Sequence, residues 1–203
     1  MIINKPTFWE EIPTNNYAEN LEPGGHYLQI LSAEERQGQG ANGPWHGLLI
    51  FFDCHSTDYQ AGAVKAKYEF NKSFRSNAGW PASGSKIIFL PQDDPESGRS
   101  LKAFIEALEA SNVGFKYDWS KDIVSQVKNK IIGGVFRNEE FEYQGETGFT
   151  PKLLYFIKAD DVPNARKPKP KYLNEGSKAQ AKGPEAQGEE LPGDDPSFLP
   201  FDL

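Results

Sequence analysis

Aromatic and basic residues alternate in two parts of this chain, and nucleic-acid binding is the chemistry that this pattern could perform. Aromatic faces stack on bases and Lys or Arg side chains neutralise phosphates, with each stacked base contributing about 1–3 kcal/mol. The first group surrounds a predicted strand and its neighbouring loops: Trp45, Lys65, Lys67, Lys72, Phe74, Arg75 and Trp80. The second group lies on or near a predicted hairpin: Arg137, Tyr143, Phe149 and Lys152. Together they favour a single-stranded nucleic acid as the ligand.

Packing in the core is the competing interpretation of each aromatic residue taken alone. Three residues stand apart because they lie in predicted loops among Gly, Pro, Ser or Thr: Trp45, Trp80 and Phe149. We assign Trp9 and Trp119 to packing. Lys65 and Lys67 share one face of a predicted strand, and an ordinary solvated face explains them equally well.

Patterns typical of catalysis are weak in this chain. Segment 79–86 has the glycine spacing of a phosphate-binding loop, but its lysine stands one residue late and Pro81 lacks the N–H that a phosphate needs. The Asp-Cys-His run 53–55 shows no metal-ligand spacing to the other histidines, so packing explains it better. Three acid pairs could in principle hold Mg²⁺: Asp93–Asp94, Glu139–Glu140 and Asp160–Asp161. We therefore expect no enzyme activity, metal or cofactor, with a metal-dependent nuclease as the weakest alternative.

Charge is distributed unevenly along the 203 residues, whose net charge is -7. Residues 174–203 carry seven acidic residues against two lysines, a net charge of -5, which leaves -2 for the rest. A nearly neutral body can hold a basic groove, so the acidic total does not argue against DNA. We expect no membrane span or secretion signal, and the single cysteine fits a reducing cytoplasm.

The body of the chain alternates between strand and helix patterns. A flexible loop is predicted over 37–44 and a hairpin loop over 144–150. Helical spacing predicts a helix over 100–111 and a shorter one over 120–127. Period-two alternation or short apolar runs predict strands over 26–33, 47–55, 64–74, 130–143 and 152–160. Three strands, a helical part and two strands is the chain order of an OB-fold-like five-stranded barrel, so we expect a mainly β fold with one or two helices.

Three regions follow from this organisation. Residues 1–24 form an irregular N-terminal arm, and residues 25–173 form the OB-like nucleic-acid-binding domain. Residues 174–203 form a disordered linker and an acidic tip, because few apolar residues are available there to offset chain entropy. A basic, proline-containing run, 166–171, precedes the linker. The residues predicted to bind a partner lie in the tip: Asp194, Asp195, Phe198, Pro200 and Phe201.

An OB-like body, a linker rich in Gly, Pro, Gln and Ala, and an acidic tip with Pro200–Phe201 together resemble a bacterial single-stranded DNA-binding protein. In that family the phenylalanine ends the chain, whereas Asp202 and Leu203 follow it here. The body is more similar to the single-stranded DNA-binding-like proteins of phages and prophages of Gram-positive bacteria. The similar segments are 101–105 with 111–112, 133–136 with 139–140, and 162–163 before the basic run.

This resemblance implies sequence-independent binding of single-stranded DNA in phage replication or recombination. The tip would recruit replication or recombination proteins in the host cytoplasm, and the protein could form a homo-oligomer. The alternative is a phage adaptor that does not bind DNA and engages a host protein through its C-terminal tail.

Overall fold

One antiparallel sheet organises the protein in the computed structural model, which describes residues 19–40, 43–91, 96–143 and 145–173. Its five strands are β1 (Gly24–Gly40), β2 (Gly43–Cys54), β3 (Ser85–Phe89), β4 (Ile131–Tyr143) and β5 (Glu146–Ile157). They lie side by side in the order β3-β2-β1-β4-β5. The helices are α1 (Ala63–Phe74), α2 (Arg99–Ser111) and α3 (Ile123–Val127), with 3-10 turns at Ala82–Gly84 and Ala159–Asn164. The prediction of a mainly β fold with few helices is confirmed.

The core lies on one face of this sheet. Ile30 of β1 and Phe52 of β2 are cross-strand neighbours, and both are fully buried. Phe156 of β5 lies between Phe52 and Phe104 of α2, with ring centroids 6.1 and 5.0 Å apart. Helix α2 therefore covers this face, and its buried side chains are Leu101, Phe104, Ile105, Ala107 and Leu108. Both predicted helices are present, although α3 is shorter than expected.

The predicted strand over 64–74 is wrong, because these residues form helix α1 instead. Asp53, at the end of β2, explains the difference: its Oδ1 accepts the backbone N–H groups of Val64 at 3.0 Å and Lys65 at 3.4 Å. A carboxylate at this end of a helix satisfies free N–H groups and complements the helix dipole. The alanines, lysines and glutamate of this segment also favour a helix. The third strand is β3, Ser85–Phe89, which was not among the predicted strands.

Most residues of the two predicted loops, 37–44 and 144–150, belong to paired strands. Gln37 lies opposite His46 and Gly38 opposite Trp45, so most of the predicted loop 37–44 extends β1 and β2. In the same way, β5 begins at Glu146 and takes up most of the predicted loop 144–150. Residues 41, 42 and 144 lie outside the described residues. The loops were predicted because glycines are frequent there, but extended pairing accommodates them.

The two long hairpins project from opposite ends of the sheet. Strands β1 and β4 run antiparallel and pair only over Gly24–Gln29 and Ile131–Phe136. Beyond that stretch β1 continues toward Gly40 with β2, while β4 continues toward Tyr143 with β5. The 3-10 turn before β3 lies against β5, so the two edges of the sheet approach each other. No helix among the described residues is long and apolar enough to cross a membrane.

Candidate nucleic-acid interface

The β4–β5 hairpin carries all four residues of the second predicted group. Arg137 and Lys152 are direct cross-strand neighbours, so their side chains lie on the same face. Phe149 is 40% exposed and Tyr143 44% exposed, both in the outer part of the hairpin. Phe149 lies on β5 rather than in the predicted loop, and its ring meets that of Tyr172 edge-on at 5.7 Å. The hairpin therefore carries both cations and aromatic rings, with Phe149, the cross-strand neighbour of Glu140, on the face opposite to Arg137 and Lys152.

A partly buried group of charges, which we call the hairpin cluster, lies at the base of this hairpin and consists of Lys86, Arg137, Glu139 and Lys152. Arg137 Nη2 donates to Glu139 Oε1, and Lys152 Nζ lies 3.2 Å from Glu139 Oε2. The Glu139 side chain is 14% exposed, that of Arg137 28% and that of Lys152 41%. Arg137 Nε is buried and has no hydrogen-bond partner among the described residues. Arg137 and Lys152 thus share one carboxylate.

Lys86 joins the cluster from β3, at the other edge of the sheet. Burial lowers the pKa of Lys86 below its usual range; Glu139 opposes that effect, while Lys152 and Arg137 add to it. Burial raises the pKa of Glu139, but the hydrogen bond from Arg137 and the charge of Lys152 outweigh this and hold it below its usual value. Sequence reasoning missed Lys86 as a cluster member because β3 was not recognised.

The face of β2 and β3 opposite the core is also aromatic. Trp45 lies on β2 rather than in the predicted loop, and its ring meets Phe89 of β3 edge-on at 5.8 Å. A Cβ atom on Gly38 would lie 2.7 Å from the indole of Trp45, so this glycine allows the ring to lie flat over β1. Trp45 and Phe89 are half-buried, as are their neighbours on this face, Leu49, Phe51 and Ile87.

The cations of the first predicted group lie on helix α1 and not on a sheet face. Lys67 Nζ donates to Asn20 Oδ1 at 3.3 Å, and Lys72 lies over the Tyr68 ring at 5.5 Å. Lys65 is exposed and lies 3.8 Å from Glu69. These contacts are those of an ordinary solvated helix. At the end of the helix, Phe74 is 74% exposed and Arg75 is the C-cap.

Trp80 and Trp119 lie in environments that differ from those predicted for them. Trp80 packs against the core, its Nε1–H donates to Gly84 O at 3.0 Å, and its ring lies 5.4 Å from that of Tyr68. Trp80 is therefore poorly placed to stack on a base. The assignment of Trp119 to packing is wrong, because it is 75% exposed in the segment between α2 and α3.

A second charged group, which we call the buried cluster, consists of His26, Cys54 and Asp58. Their candidate ligand atoms lie within 4.8 Å of one another. His26 Nδ1 lies 3.0 Å from Asp58 Oδ1 and Nε2 lies 2.9 Å from Glu22 O. Asp58 also accepts backbone N–H groups from Tyr27 at 2.7 Å and Gln60 at 2.8 Å.

These hydrogen bonds use the atoms that a metal ion would need. Burial raises the pKa of the Cys54 thiol far above its usual range, and the charges of Asp58 and Asp53 add to this effect. The thiol is therefore protonated at neutral pH and is neither a nucleophile nor a ready metal ligand. The buried cluster ties β1 to the segment after β2, which is a structural role.

Within the described part of the chain, the acid pairs that could support a nuclease do not belong to a cluster of metal-ligating side chains. Glu139 and Glu140 are successive residues of β4, so their side chains point to opposite faces of the sheet. Glu139 is also paired with Arg137 and Lys152. Asp160 and Asp161 lie in a 3-10 turn, and Asp93–Asp94 lies outside the described residues.

The end of the described chain lies beside β4. Lys171 N–H donates to Asn138 O at 2.9 Å, and Glu140 N–H donates to Lys171 O at 2.8 Å. The basic run 166–171 therefore ends next to the β4–β5 hairpin. The predicted partner-binding residues Asp194, Asp195, Phe198, Pro200 and Phe201 lie outside the described residues.

Comparison with known proteins adds no family to this picture, since no family model and no curated protein matches the chain. The function must therefore be inferred from the chemistry of the surfaces. Among the described residues, the β4–β5 hairpin and the aromatic face of β2 and β3 offer what a single strand of nucleic acid requires.

Proposed function

We propose that this protein binds single-stranded DNA without strong sequence preference. The observation that carries the proposal is the β4–β5 hairpin, where Arg137 and Lys152 lie side by side and the rings of Tyr143 and Phe149 are exposed farther out. Cations neutralise the phosphates of a single strand, and exposed rings stack on its bases whatever their sequence. The half-buried Trp45–Phe89 pair adds an aromatic surface on β2 and β3.

An OB-like topology supports this proposal. Starting from β3, the sheet order β3-β2-β1-β4-β5 becomes that of a five-stranded OB barrel once β3 and β5 close the ring. The contact of Ala82–Gly84 with β5 brings these edges together. OB-folds bind oligonucleotides on the face of the second and third strands, between the loops that join strands 1 and 2 and strands 4 and 5. Here those two connections are the long hairpins.

A fluorescence titration tests the proposal. Adding oligo-dT should quench the tryptophan fluorescence of the wild-type protein, because a stacked base quenches an indole. Trp45→Phe should remove most of the quenching, whereas Trp80→Phe should retain it because Trp80 packs against the core. Quenching that is lost in Trp80→Phe and retained in Trp45→Phe would show that the wrong surface has been assigned.

We further propose that the acidic tip recruits replication or recombination proteins, as the acidic tip does in the bacterial single-stranded DNA-binding proteins that the linker and tip resemble. A basic pocket with an apolar floor would suit its acids and two phenylalanines. Deleting residues 194–203 should abolish capture of such a partner and preserve affinity for oligo-dT. An adaptor that does not bind DNA would show no oligo-dT binding with or without the tip.

A further inference from the structure

Glu139 is the least expected member of the hairpin cluster, because a carboxylate opposes binding of a polyanion. It lies two residues beyond Arg137 on β4, so both side chains emerge on the same face, and Lys152 is the cross-strand neighbour of Arg137. The carboxylate bridges the two cations, with one oxygen toward Arg137 Nη2 and the other 3.2 Å from Lys152 Nζ. The charge of the same carboxylate also acts on Lys86 of β3 and raises its pKa. The basic residues of the cluster therefore form an anion site, and the carboxylate of Glu139 occupies it.

The internal anion does not satisfy the site fully. Arg137 Nε is buried and has no hydrogen-bond partner among the described residues, although a guanidinium can offer Nε and Nη together to one oxyanion. Two basic residues face one carboxylate, which leaves a formal excess of one positive charge. A phosphodiester offers two charged oxygens and two ester oxygens, so it can engage donors that the carboxylate leaves unpaired.

We propose that Glu139 fills a phosphate-binding site of this protein in the free state and yields it to a phosphate group of the ligand. Arg137 and Lys152 are the ligands of that phosphate. The nucleic-acid source of the phosphate rests on the proposed function, whereas the site itself would also accept free inorganic phosphate. Displacing Glu139 breaks two ion pairs, so the carboxylate weakens binding and limits it to ligands that supply several phosphates at once.

Removing the charge of Glu139 should therefore strengthen binding. Each phosphate neutralised on a single strand contributes a slope of about 0.7 to the dependence of log affinity on log salt. Glu139→Gln adds one net positive charge to the site. At about 0.1 M salt the variant should bind oligo-dT about fivefold more tightly than wild type, with a slope steeper by about 0.7. Glu142→Gln is the matched control, because it changes the total charge equally at an exposed position of the same strand.

The test has two arms. The first is fluorescence anisotropy with labelled oligo-dT, which measures affinity. The second compares the melting temperature in inorganic phosphate with that in chloride of equal ionic strength. We expect Glu139→Gln to exceed Glu142→Gln in both arms. Tight oligo-dT binding by wild type with no difference between the two variants in either arm would overturn the phosphate site and leave the proposed function standing. A phosphate-dependent rise in melting temperature confined to Glu139→Gln, without oligo-dT binding by any variant, would support the site and reject DNA as its source.

Lys152→Gln keeps the proposal testable if Glu139→Gln fails to fold. This variant should bind oligo-dT about fivefold more weakly at about 0.1 M salt, with a slope shallower by about 0.7. Lys102→Gln, on the exposed side of α2, is its control because it also removes one positive charge. Equal affinities and slopes for Lys152→Gln and Lys102→Gln would contradict the inferred site.

Discussion

The buried cluster and the hairpin cluster both combine acids with basic or titratable groups, yet they differ in how completely their atoms are paired. In the first, His26 and Asp58 are fully buried side chains, and both ring nitrogens and both carboxylate oxygens have partners. In the second, Arg137 and Lys152 share Glu139, and Arg137 Nε lacks a partner among the described residues. A closed network of this kind holds a fold together. An open one retains donors and positive charge for a ligand.

The largest effect should come from Asp58→Asn, which removes the charge that faces His26 in the buried cluster. Hydrogen bonds to a charged group contribute about 1.5–3 kcal/mol each, and Asp58 accepts three, so we expect a loss of about 3–5 kcal/mol. Urea unfolding should show a loss of this size, while the folded variant keeps its affinity for oligo-dT. Asp160→Asn, at an exposed position, is the control. A loss below about 1 kcal/mol would mean that the buried cluster does not stabilise the fold.

Acid should remove part of the same stabilisation. Burial raises the pKa of Asp58, but hydrogen bonds from His26, Gln60 and Tyr27 outweigh it and place the pKa below its usual value. A carboxylate with a lowered folded-state pKa stabilises the protein above its unfolded pKa of about 3.9, and this contribution disappears as the pH falls through the folded value. The stability difference between wild type and Asp58→Asn should therefore narrow below about pH 4. A constant difference from neutral pH to about pH 3 would argue against this linkage.

A smaller loss is expected from Asp53→Ala, which removes the acceptor for the first N–H groups of α1. Loss of a helix N-cap side chain costs about 0.5–2 kcal/mol. Urea unfolding should place the variant in this range, between Asp58→Asn and the control. Unchanged stability would show that α1 forms without this acceptor.

In the hairpin cluster, Lys152→Gln should affect binding more than stability. Its ion pair with Glu139 is partly exposed, and such pairs contribute about 0–1 kcal/mol to folding. Affinity for oligo-dT should fall about fivefold at about 0.1 M salt, since one phosphate contact is lost. Lys102→Gln should leave affinity within twofold of wild type. A stability loss like that of Asp58→Asn, with unchanged binding, would reverse the comparison between the two clusters.

The sequence predicted some of these regions better than others. The β4–β5 hairpin was predictable because its alternation runs through long paired strands and places Arg137 and Lys152 near each other. Helix α1 was not, since the residue whose carboxylate accepts N–H groups at its start, Asp53, precedes Val64 by eleven positions. Alternation over a short segment also fits either a strand or a helix. The prediction of a third strand was right in number but wrong in place.

Contacts between residues that are distant in the sequence also limited the prediction of both clusters. His26 and Asp58 are 32 residues apart, and only the folded sheet brings them together. Lys86 belonged to a segment considered only as a weak phosphate loop, and the charges that act on it come from β4 and β5. Local patterns indicated the cations of the hairpin, but not the carboxylate that they share.

One titration tests the central claim most directly: anisotropy of labelled oligo-dT with the wild-type protein at about 50 mM and about 200 mM salt. Binding should be detectable at the lower concentration and weaken as salt increases, because phosphate neutralisation releases counterions. The Lys152→Gln variant, measured alongside, should show a shallower dependence. No binding of oligo-dT at the lower salt concentration would contradict the account.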